Sequence, residues 1–295
     1  MALRIITGVI GIIIAAVVIQ LGGVTFSAFA IFLALVAWHE FSSAFNRAGF
    51  DTAYFLGAIT LVLILCCAWL GNIEELLAVL TLGSLAIFLL TVLFSMRPTD
   101  VCISVAGLFY IGLPFSHLIM LRFMADDPHP IQSLLNFATF VRENTGTADA
   151  LQALTTFNLD DGCALIWILF TCTWASDSFA YFIGSAIGSH RLAPSISPNK
   201  TVEGVLGSLV GTVLTAVVVG SFLFGFAITQ MALAGLLMAL AATFGDLVES
   251  VIKRFTGVKD SGFLFPGHGG VLDRFDSFIY TAPVFYYFIL VSKII

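Results

Sequence analysis

Charged residues are scarce in this sequence, and their scarcity excludes the commonest classes of protein. Only 10% of the 295 residues are Asp, Glu, Lys or Arg, against about 25% in soluble domains. Apolar residues make up 59% of the chain even without glycine, so the polar residues could not cover a water-facing surface. Soluble globular domains and disordered segments are therefore both excluded. The composition predicts an all-α protein that crosses a membrane several times.

Three further absences narrow the function. The net charge of −6 leaves no basic surface for nucleic acid. None of the five cysteines forms a Cys-x-x-Cys pair and all lie in apolar runs, which predicts buried thiols rather than disulfides or a metal site. No Ser-His-Asp or Cys-His arrangement offers a protein nucleophile, so a group transfer would proceed by direct attack of one substrate on another.

What the sequence contains instead is a series of nine apolar runs. Most of them are long enough for a membrane-spanning helix of about 20 residues. The runs cover residues 4–20, 24–45, 53–70, 75–95, 101–121, 161–184, 203–226, 229–253 and 271–293. They predict five N-terminal membrane helices over 1–121, a polar segment over 122–160, and a catalytic membrane domain with four spans over 161–295.

The distribution of Lys and Arg predicts the orientation of these spans. With the N-terminus in the cytoplasm, nine of the 12 basic residues fall on the cytoplasmic side, as the positive-inside rule requires. Two polar loops, 185–202 and 254–270, then also face the cytoplasm. Segment 122–160 lies outside, where we expect it to rest on the membrane surface. We expect a bacterial inner membrane protein with its active site on the cytoplasmic side.

Ionisable residues within the spans are concentrated in the second half of the chain. His39 and Glu40 are the exception, and we expect them to snorkel or to form a hydrogen bond between helices. Each charge at mid-membrane costs about 2.5–3.5 kcal/mol. A cluster of charges is therefore tolerated only where it faces a cavity, a partner or a metal ion.

The spacing of the acidic residues indicates such a cluster. Polar residues at positions i, i+3, i+4 and i+7 share one helix face; they are Asp246, Glu249, Ser250 and Lys253. The last run opens with Asp273 and Asp276, again three residues apart. Because carboxylates held close together repel each other, the two helices predict a cation between them. Hard oxygen ligands favour Mg²⁺, which takes one or two carboxylates together with waters and substrate phosphates.

A glycine-rich loop, KDSGFLFPGHGG at 259–270, connects these two helices. Glycine amides and the free N–H groups of the following helix favour phosphate. Lys259, His268 and Arg274 add positive charge. The loop predicts a phosphate-binding segment beside the acidic cluster.

The upstream loop, 177–204, is rich in Gly, Ser and Pro and ends in Pro-Asn-Lys-Thr before a helix. Ser197 or Asn199, with Lys200 and Thr201, could bind phosphate or cap that helix. Glu203 fits a capping acid or a ligand equally well. Together the two loops predict a metal-dependent, phosphate-handling site at the membrane face, and the position of the site suggests a lipid substrate.

Residues 250–276, SVIKRFTGVKDSGFLFPGHGGVLDRFD, resemble the signature of phosphatidate cytidylyltransferases, also called CDP-diacylglycerol synthases. The pattern S-x-x-K-R-x₄-K-D-x-G-x₂-[hydrophobic]-P-x-H-G-G-x₂-D-R-x-D is met at every fixed position. The stretches D-x-x-A-Y-F-x-G and S-P-x-K-T-x-E-G, and GLFYIGLPFSHLIMLR at 107–122, are similar too. Ser189 and Asn199 depart from the family, in which lysine often occupies both positions.

The resemblance implies the reaction CTP + phosphatidate → CDP-diacylglycerol + pyrophosphate, with Mg²⁺ and a second, monovalent cation in the site. It implies the metal ligands Asp246, Asp273 and Asp276, and a catalytic role for these residues and Lys259. The implied substrate contacts are Asp177, Ser197, Lys200, Glu203, Ser250, Lys253, Arg254, Asp260, His268, Gly269, Gly270 and Arg274. The implied partners are the two substrates, membrane lipids and a second copy of the chain in a homodimer.

Three other functions remain open at this point. The first is cytidylyl transfer to a different lipid phosphate, such as an archaeal prenyl-ether lipid. The second is an ion-coupled transporter, since acids within spans and helices broken by glycine also mark transporters. Against it, the sequence has no internal repeat and its charges gather at the inner helix ends. The third is a non-catalytic lipid-binding protein, against which the intact acidic residues argue.

Overall fold

The computed structural model describes residues 2–124, 160–262, 264 and 269–292. Over these residues the chain forms nine helices, one for each predicted apolar run. They are α1 (Ala2–Leu21), α2 (Gly23–Arg47), α3 (Tyr54–Trp69), α4 (Ile73–Leu93), α5 (Pro98–Arg122), α6 (Asp161–Ile187), α7 (Val202–Leu223), α8 (Ile228–Thr256) and α9 (Leu272–Ser292). Seven are long and apolar enough to cross a membrane. The predicted all-α, multi-pass architecture is confirmed, whereas most of segment 122–160 lies outside the described residues.

Large apolar side chains cover the outside of the helices as well as the core. Trp38, Leu61 and Ile64 are fully buried in the centre of the bundle. On α4, by contrast, Leu82 and Val92 are exposed by 66% and 77%. Such a surface is unfavourable in water and is typical of helices that face lipid.

The basic ends of several helices lie together at one end of the bundle. Phe45 at the end of α2 and Phe50 just after it both contact Phe255 at the end of α8, with ring centroids 6.0 and 5.7 Å apart. The Arg97 guanidinium lies over the Phe50 ring at 5.8 Å. This grouping agrees with the charge asymmetry in the sequence, and the side of the membrane on which this end lies stays a prediction.

Helices α6 and α7 approach each other closely because glycines line their contact. A Cβ atom at Gly207 would lie 2.6 Å from the Ile183 Cβ atom, so only glycine fits there. The hydroxyls of Ser176 and Ser208 are hydrogen-bonded across the same contact at 2.7 Å. Small residues that let helix backbones approach are the usual means of helix association in membranes.

The predicted loop between α6 and α7 contains a β-hairpin. Strand β1 (Arg191–Ala193) pairs antiparallel with β2 (Ser197–Thr201). The hairpin runs directly into α7, where the Thr201 hydroxyl caps the helix by accepting a hydrogen bond from the Gly204 amide at 3.1 Å. It therefore holds its polar side chains beside the ends of α6 and α7.

A buried ion pair joins helices at the opposite end of the bundle. Arg122, at the end of α5, binds both carboxylate oxygens of Asp160, the cap residue of α6, at 2.8 and 3.0 Å. The Arg122 side chain is only 5% exposed. Gly22, between α1 and α2, leaves no room for a Cβ atom beside the same guanidinium. Arg122 thus lies where the end of α5, the start of α6 and the turn between α1 and α2 come together.

Candidate active site

A polar cavity of about 720 Å³ opens between α6, the hairpin, α7, α8 and α9. Its volume lies within the range of small-molecule sites, about 300–1,000 Å³. The side chains that line it and could contact a ligand through polar groups are Asp177, Tyr181, Ser185, Arg191, Ser197, Asn199, Lys200, Asp246, Asp273, Arg274 and Asp276. An apolar bundle thus encloses a cavity whose walls carry both signs of charge.

Three carboxylates from three helices meet on one side of this cavity. Asp177 on α6, Asp246 on α8 and Asp276 on α9 lie close enough for their charges to repel one another. The Lys200 ammonium pairs with Asp246 at 2.8 Å, and Arg274 also acts on Asp177. Carboxylates held this close together favour a cation between them.

The donor set is compatible with Mg²⁺. Among the described residues, no three His, Cys, Asp or Glu side chains form a ready-made metal site. Mg²⁺ needs only one or two carboxylates when waters and phosphate oxygens complete its octahedron. Asp246 and Asp276 supply such oxygen donors at the cavity wall, and the proximity of Asp177 to both would favour a divalent cation.

A second polar cluster lies around Asp273 at the start of α9. Lys253 pairs with Glu249 at 2.6 Å and with Asp273 at 3.0 Å. The Asp273 carboxylate also accepts hydrogen bonds from the Ser261 and Gly270 amides, both at 2.8 Å. Asp273 therefore holds the α8–α9 loop in place as well as lining the cavity. To bind a metal it would have to give up part of this set of donors.

The amides at the start of α9 are already occupied. The Gly270 amide donates to Asp273 at 2.8 Å, and the Val271 and Leu272 amides donate to the Glu40 carboxylate, both at 2.9 Å. Gly269 has a φ of 87°, a conformation that side chains rarely adopt. The expected binding of phosphate by these amides would require a carboxylate to move away, and it stays a prediction.

Several predicted site residues lie outside the cavity wall. Ser250 donates a long hydrogen bond to Asp246 at 3.4 Å, and Arg254 donates to the Ile196 carbonyl in the hairpin turn at 3.3 Å. Lys259 and Asp260 are exposed on the α8–α9 loop. His268 is outside the described residues.

Glu203, predicted as a capping acid or a ligand, bonds the amide of its own residue in the first turn of α7 and also contacts the base of the hairpin. Its carboxylate accepts hydrogen bonds from the Ser189 hydroxyl at 2.8 Å and the His190 amide at 3.2 Å. It therefore anchors the base of the hairpin and does not line the cavity. Ser189 is engaged in this contact, whereas Asn199 does line the cavity; of the two departures from the family pattern, only Asn199 faces the site.

Comparison with known proteins identifies the family. A model of the cytidylyltransferase family matches residues 2–292. The chain belongs to the cytidylyltransferase family. The enzyme is therefore a nucleotidyltransferase embedded in a membrane by several helices, and the resemblance seen in the signature is confirmed.

Two relatives named phosphatidate cytidylyltransferase match nearly the whole length of the chain, and a third relative matches about half of it. A phosphatidate cytidylyltransferase from Synechocystis sp. is 34% identical over 290 residues, 97% of this chain and 96% of the relative. One from Staphylococcus haemolyticus is 30% identical over 291 residues, 96% and 97% of the two chains. The uncharacterized protein YnbB of Escherichia coli strain K12 is 44% identical over 139 residues, 47% of each chain.

Two residues in the first half of the enzyme lie near the candidate site, and the sequence did not predict their contacts with it. Glu40 was expected only to snorkel or to bond between helices, and the second expectation is confirmed by its contacts with α9. Tyr110 has a buried hydroxyl with no partner among the described residues, and the Glu249 and Asp276 carboxylates lie within electrostatic reach of it. Its one signal in sequence was a polar group inside an apolar run.

Proposed function

We propose that the enzyme is a CTP:phosphatidate cytidylyltransferase that produces CDP-diacylglycerol and pyrophosphate for phospholipid synthesis. The observation that carries this proposal is the 720 Å³ cavity, where carboxylates of three helices meet the cationic side chains of Lys200 and Arg274. A nucleoside triphosphate needs such a combination of cations and metal-binding acids. Two relatives that match over nearly their full length bear the name of this activity.

Binding of CTP is assigned to the side of the cavity formed by the hairpin, α7 and Arg274. Lys200 and Arg274 are the cations that would hold the phosphates. Ser197 and Asn199 present a hydroxyl and an amide from strand β2, which suits contacts to phosphate or sugar oxygens. Lys200 is held in place by Asp246 at 2.8 Å, so its ammonium is oriented towards the cavity.

Binding of Mg²⁺ is assigned to Asp246 and Asp276, with Asp273 as a third ligand once Lys253 releases it. When bound, the ion would neutralise charge on the phosphates and help align them. Asp177, adjacent to the same carboxylates, adds negative charge that strengthens the attraction for a cation. A second, monovalent cation in the same cluster remains part of the proposal.

The transfer itself requires no nucleophile from the protein. An oxygen of the phosphatidate phosphate attacks the α-phosphorus of CTP, forming a P–O–P bond, and the bond to the β-phosphate breaks to release pyrophosphate. The lipid phosphate is already anionic, so no general base is needed. Lys253 and Arg254, at the end of α8, are assigned to the lipid head group. Positioning and electrostatics would supply most of the rate acceleration.

The cellular setting is proposed from the distribution of charge. The basic helix ends and the cavity would face the cytoplasm, where CTP is available, in a bacterial inner membrane. Phosphatidate would enter laterally from the inner leaflet, with its acyl chains remaining between the helices and lipid. A homodimer is proposed from the family resemblance alone.

The test uses detergent-purified enzyme, phosphatidate and CTP labelled at the α-phosphate, with and without Mg²⁺. We expect Mg²⁺-dependent transfer of label into the lipid phase, and a loss of at least about 100-fold in Asp246→Asn, equivalent to about 2.7 kcal/mol of transition-state stabilisation. Asp246 is the best choice because, among the described residues, its carboxylate bonds to Lys200 and Ser250 and to no residue of the α8–α9 loop, so the substitution spares the loop that Asp273 holds.

Glu74→Gln is the matched control, because Glu74 is an exposed acid at the start of α4 and should leave activity unchanged. Parallel reactions with a prenyl-ether lipid phosphate test the alternative acceptor. If the folded enzyme labels only that lipid, the acceptor is wrong. If it labels no lipid phosphate at all, the proposed activity is wrong.

A further inference from the structure

Glu40 connects the first half of the chain to the active-site loop. It lies on α2 and is only 4% exposed. Its Oε1 atom accepts the Val271 amide and its Oε2 atom the Leu272 amide, both at 2.9 Å. A carboxylate at a helix N-terminus is stabilised by the free N–H groups and by the positive end of the helix dipole. Glu40 thus caps α9 from a different helix, 231 residues earlier in the chain.

The same carboxylate also packs against two glycines of the α8–α9 loop. A Cβ atom at Gly262 or at Gly270 would overlap the Glu40 carboxylate, so both glycines pack directly against it. Gly262 and Gly270 are fixed positions of the signature on which the family resemblance rests. Their close approach to Glu40 gives a steric reason for glycine at both positions, in addition to the expected contact with phosphate.

The position of α9 matters for chemistry because its first turns carry charged cavity residues. Asp273, Arg274 and Asp276 all line the cavity, and they begin one residue after Leu272, which Glu40 binds. A shift of the helix start by about 1 Å would move all three relative to Asp246 on α8. Misplacement of that size can cost about 100-fold in rate.

We propose that Glu40 is a positioning residue of the active site, which holds the start of α9 and packs against Gly262 and Gly270 of the α8–α9 loop so that Asp273 and Asp276 line the cavity with Asp246. The contribution of α2 makes the predicted catalytic unit, 161–295, incomplete by itself. The kinetic part of this inference rests on the proposed function, whereas the contact between Glu40 and the start of α9 can be tested without it.

The first experiment measures the kinetic effect of Glu40→Gln, which keeps the shape of the side chain but loses the charge. We expect kcat to fall by about 10- to 100-fold. The KM for CTP should rise by a smaller factor, because Arg274 shifts with α9 whereas Lys200 and the hairpin keep their positions. Glu40→Asp, which keeps the charge on a shorter side chain, should recover part of kcat. Equal kcat in wild type and Glu40→Gln would overturn the proposal, as would a loss fully explained by a smaller folded fraction.

The second experiment is a double-mutant cycle with Gly262→Ala. Alone, this substitution should lower kcat, because the new methyl group displaces the Glu40 carboxylate. In the Glu40→Ala background the space is free, so Gly262→Ala should add less than about a twofold further loss. Gly8→Ala is the control, since no atom lies within 4 Å of a Cβ atom there. If the double variant lost kcat by the product of the two single losses, Glu40 and Gly262 would not share a contact.

Hydrogen exchange separates failure of this inference from failure of the proposed function. In Glu40→Ala, the peptide covering 269–275 should exchange at least about 10-fold faster than in wild type, while the hairpin peptide 191–201 keeps its rate. This result is expected even if the wild-type enzyme transfers no label to phosphatidate. Unchanged exchange at Val271 and Leu272 would show that Glu40 does not hold the start of α9, whatever the activity.

Discussion

Tyr110 carries a buried hydroxyl in the interior of the bundle. Its ring contacts Phe41 on α2 with centroids 6.3 Å apart, and its hydroxyl is buried without a partner in the described parts of the chain. It lies in a π-helical stretch of α5, Leu108–Gly112, and such stretches are frequent at functional sites. An unsatisfied buried polar group costs about 1–3 kcal/mol.

Removing this hydroxyl should therefore not destabilise the fold. We expect Tyr110→Phe to leave the free energy of unfolding unchanged or to raise it by about 1 kcal/mol, measured by thermal melting in detergent. Tyr287→Phe on the lipid-facing side of α9, where Tyr287 is 53% exposed, serves as the comparison. A clear decrease in melting temperature for Tyr110→Phe alone would mean that the hydroxyl has a partner in the folded protein.

At the scale of residues, the sequence predicted charged residues that line the cavity but not the contacts of Glu40, which lies outside the cavity. Asp177, Lys200 and Asp246 could be found because charges in apolar runs are costly and therefore informative. Glu40 could not be assigned, since its partners are backbone amides 231 and 232 residues away. Nothing in local spacing reveals such a contact.

At the scale of elements, the close packing of α6 against α7 makes a clear prediction. Gly207→Ala would place a methyl group 2.6 Å from the Ile183 Cβ atom, which cannot move without its backbone. Overpacking of this kind costs about 1–3 kcal/mol. Because both helices line the cavity, we also expect a higher KM for CTP. Thermal melting and the KM for CTP test the two expectations.

The control for this substitution is another glycine within a helix. A Cβ atom at Gly11 on α1 has no neighbour within 4 Å, so Gly11→Ala should be neutral or stabilising by up to about 1 kcal/mol. Equal melting temperatures of the Gly207→Ala and Gly11→Ala variants would contradict the packing argument.

The sequence predicted the helices accurately but did not predict the hairpin. All nine helices were predicted to within a few residues, because the thickness of the bilayer fixes the length of an apolar run. The hairpin was predicted only as a polar loop. Its strands have three and five residues, too short and too polar to show the alternation that marks a strand.

At the scale of the whole molecule, Arg122 and Asp160 form a structural contact remote from the cavity. Asp160 precedes Asp177 by 17 residues, roughly 25 Å along α6 at 1.5 Å per residue. We expect Arg122→Met to lower the free energy of unfolding by about 1–3 kcal/mol, because it leaves the Asp160 charge without its main partner. The KM for CTP should stay the same.

Arg47→Met provides the comparison for this prediction. Arg47 is exposed at the end of α2 and takes part in no ion pair within the described residues, so its loss should leave the melting temperature nearly unchanged. A change in the KM for CTP in Arg122→Met at full stability would mean that the two ends of the bundle are coupled. Apart from α8 and α9, which their acidic residues predicted to be neighbours, the sequence did not show which helices contact one another or through which ion pairs, because hydropathy carries no information about neighbours.

The bond between Glu40 and α9 also constrains how the chain can be made. Glu40 leaves the ribosome 231 residues before Val271, and at about 5–20 residues per second the interval is roughly 10–50 s. During that time its carboxylate has no helix end to bind, although an unpaired acid within the bilayer costs about 2.5–3.5 kcal/mol. Until α9 is inserted, we therefore expect Glu40 on α2 to lie near the water interface or beside the translocation machinery. The cavity is completed only when the ninth helix is inserted, so we expect an unfinished chain to have no cytidylyltransferase activity.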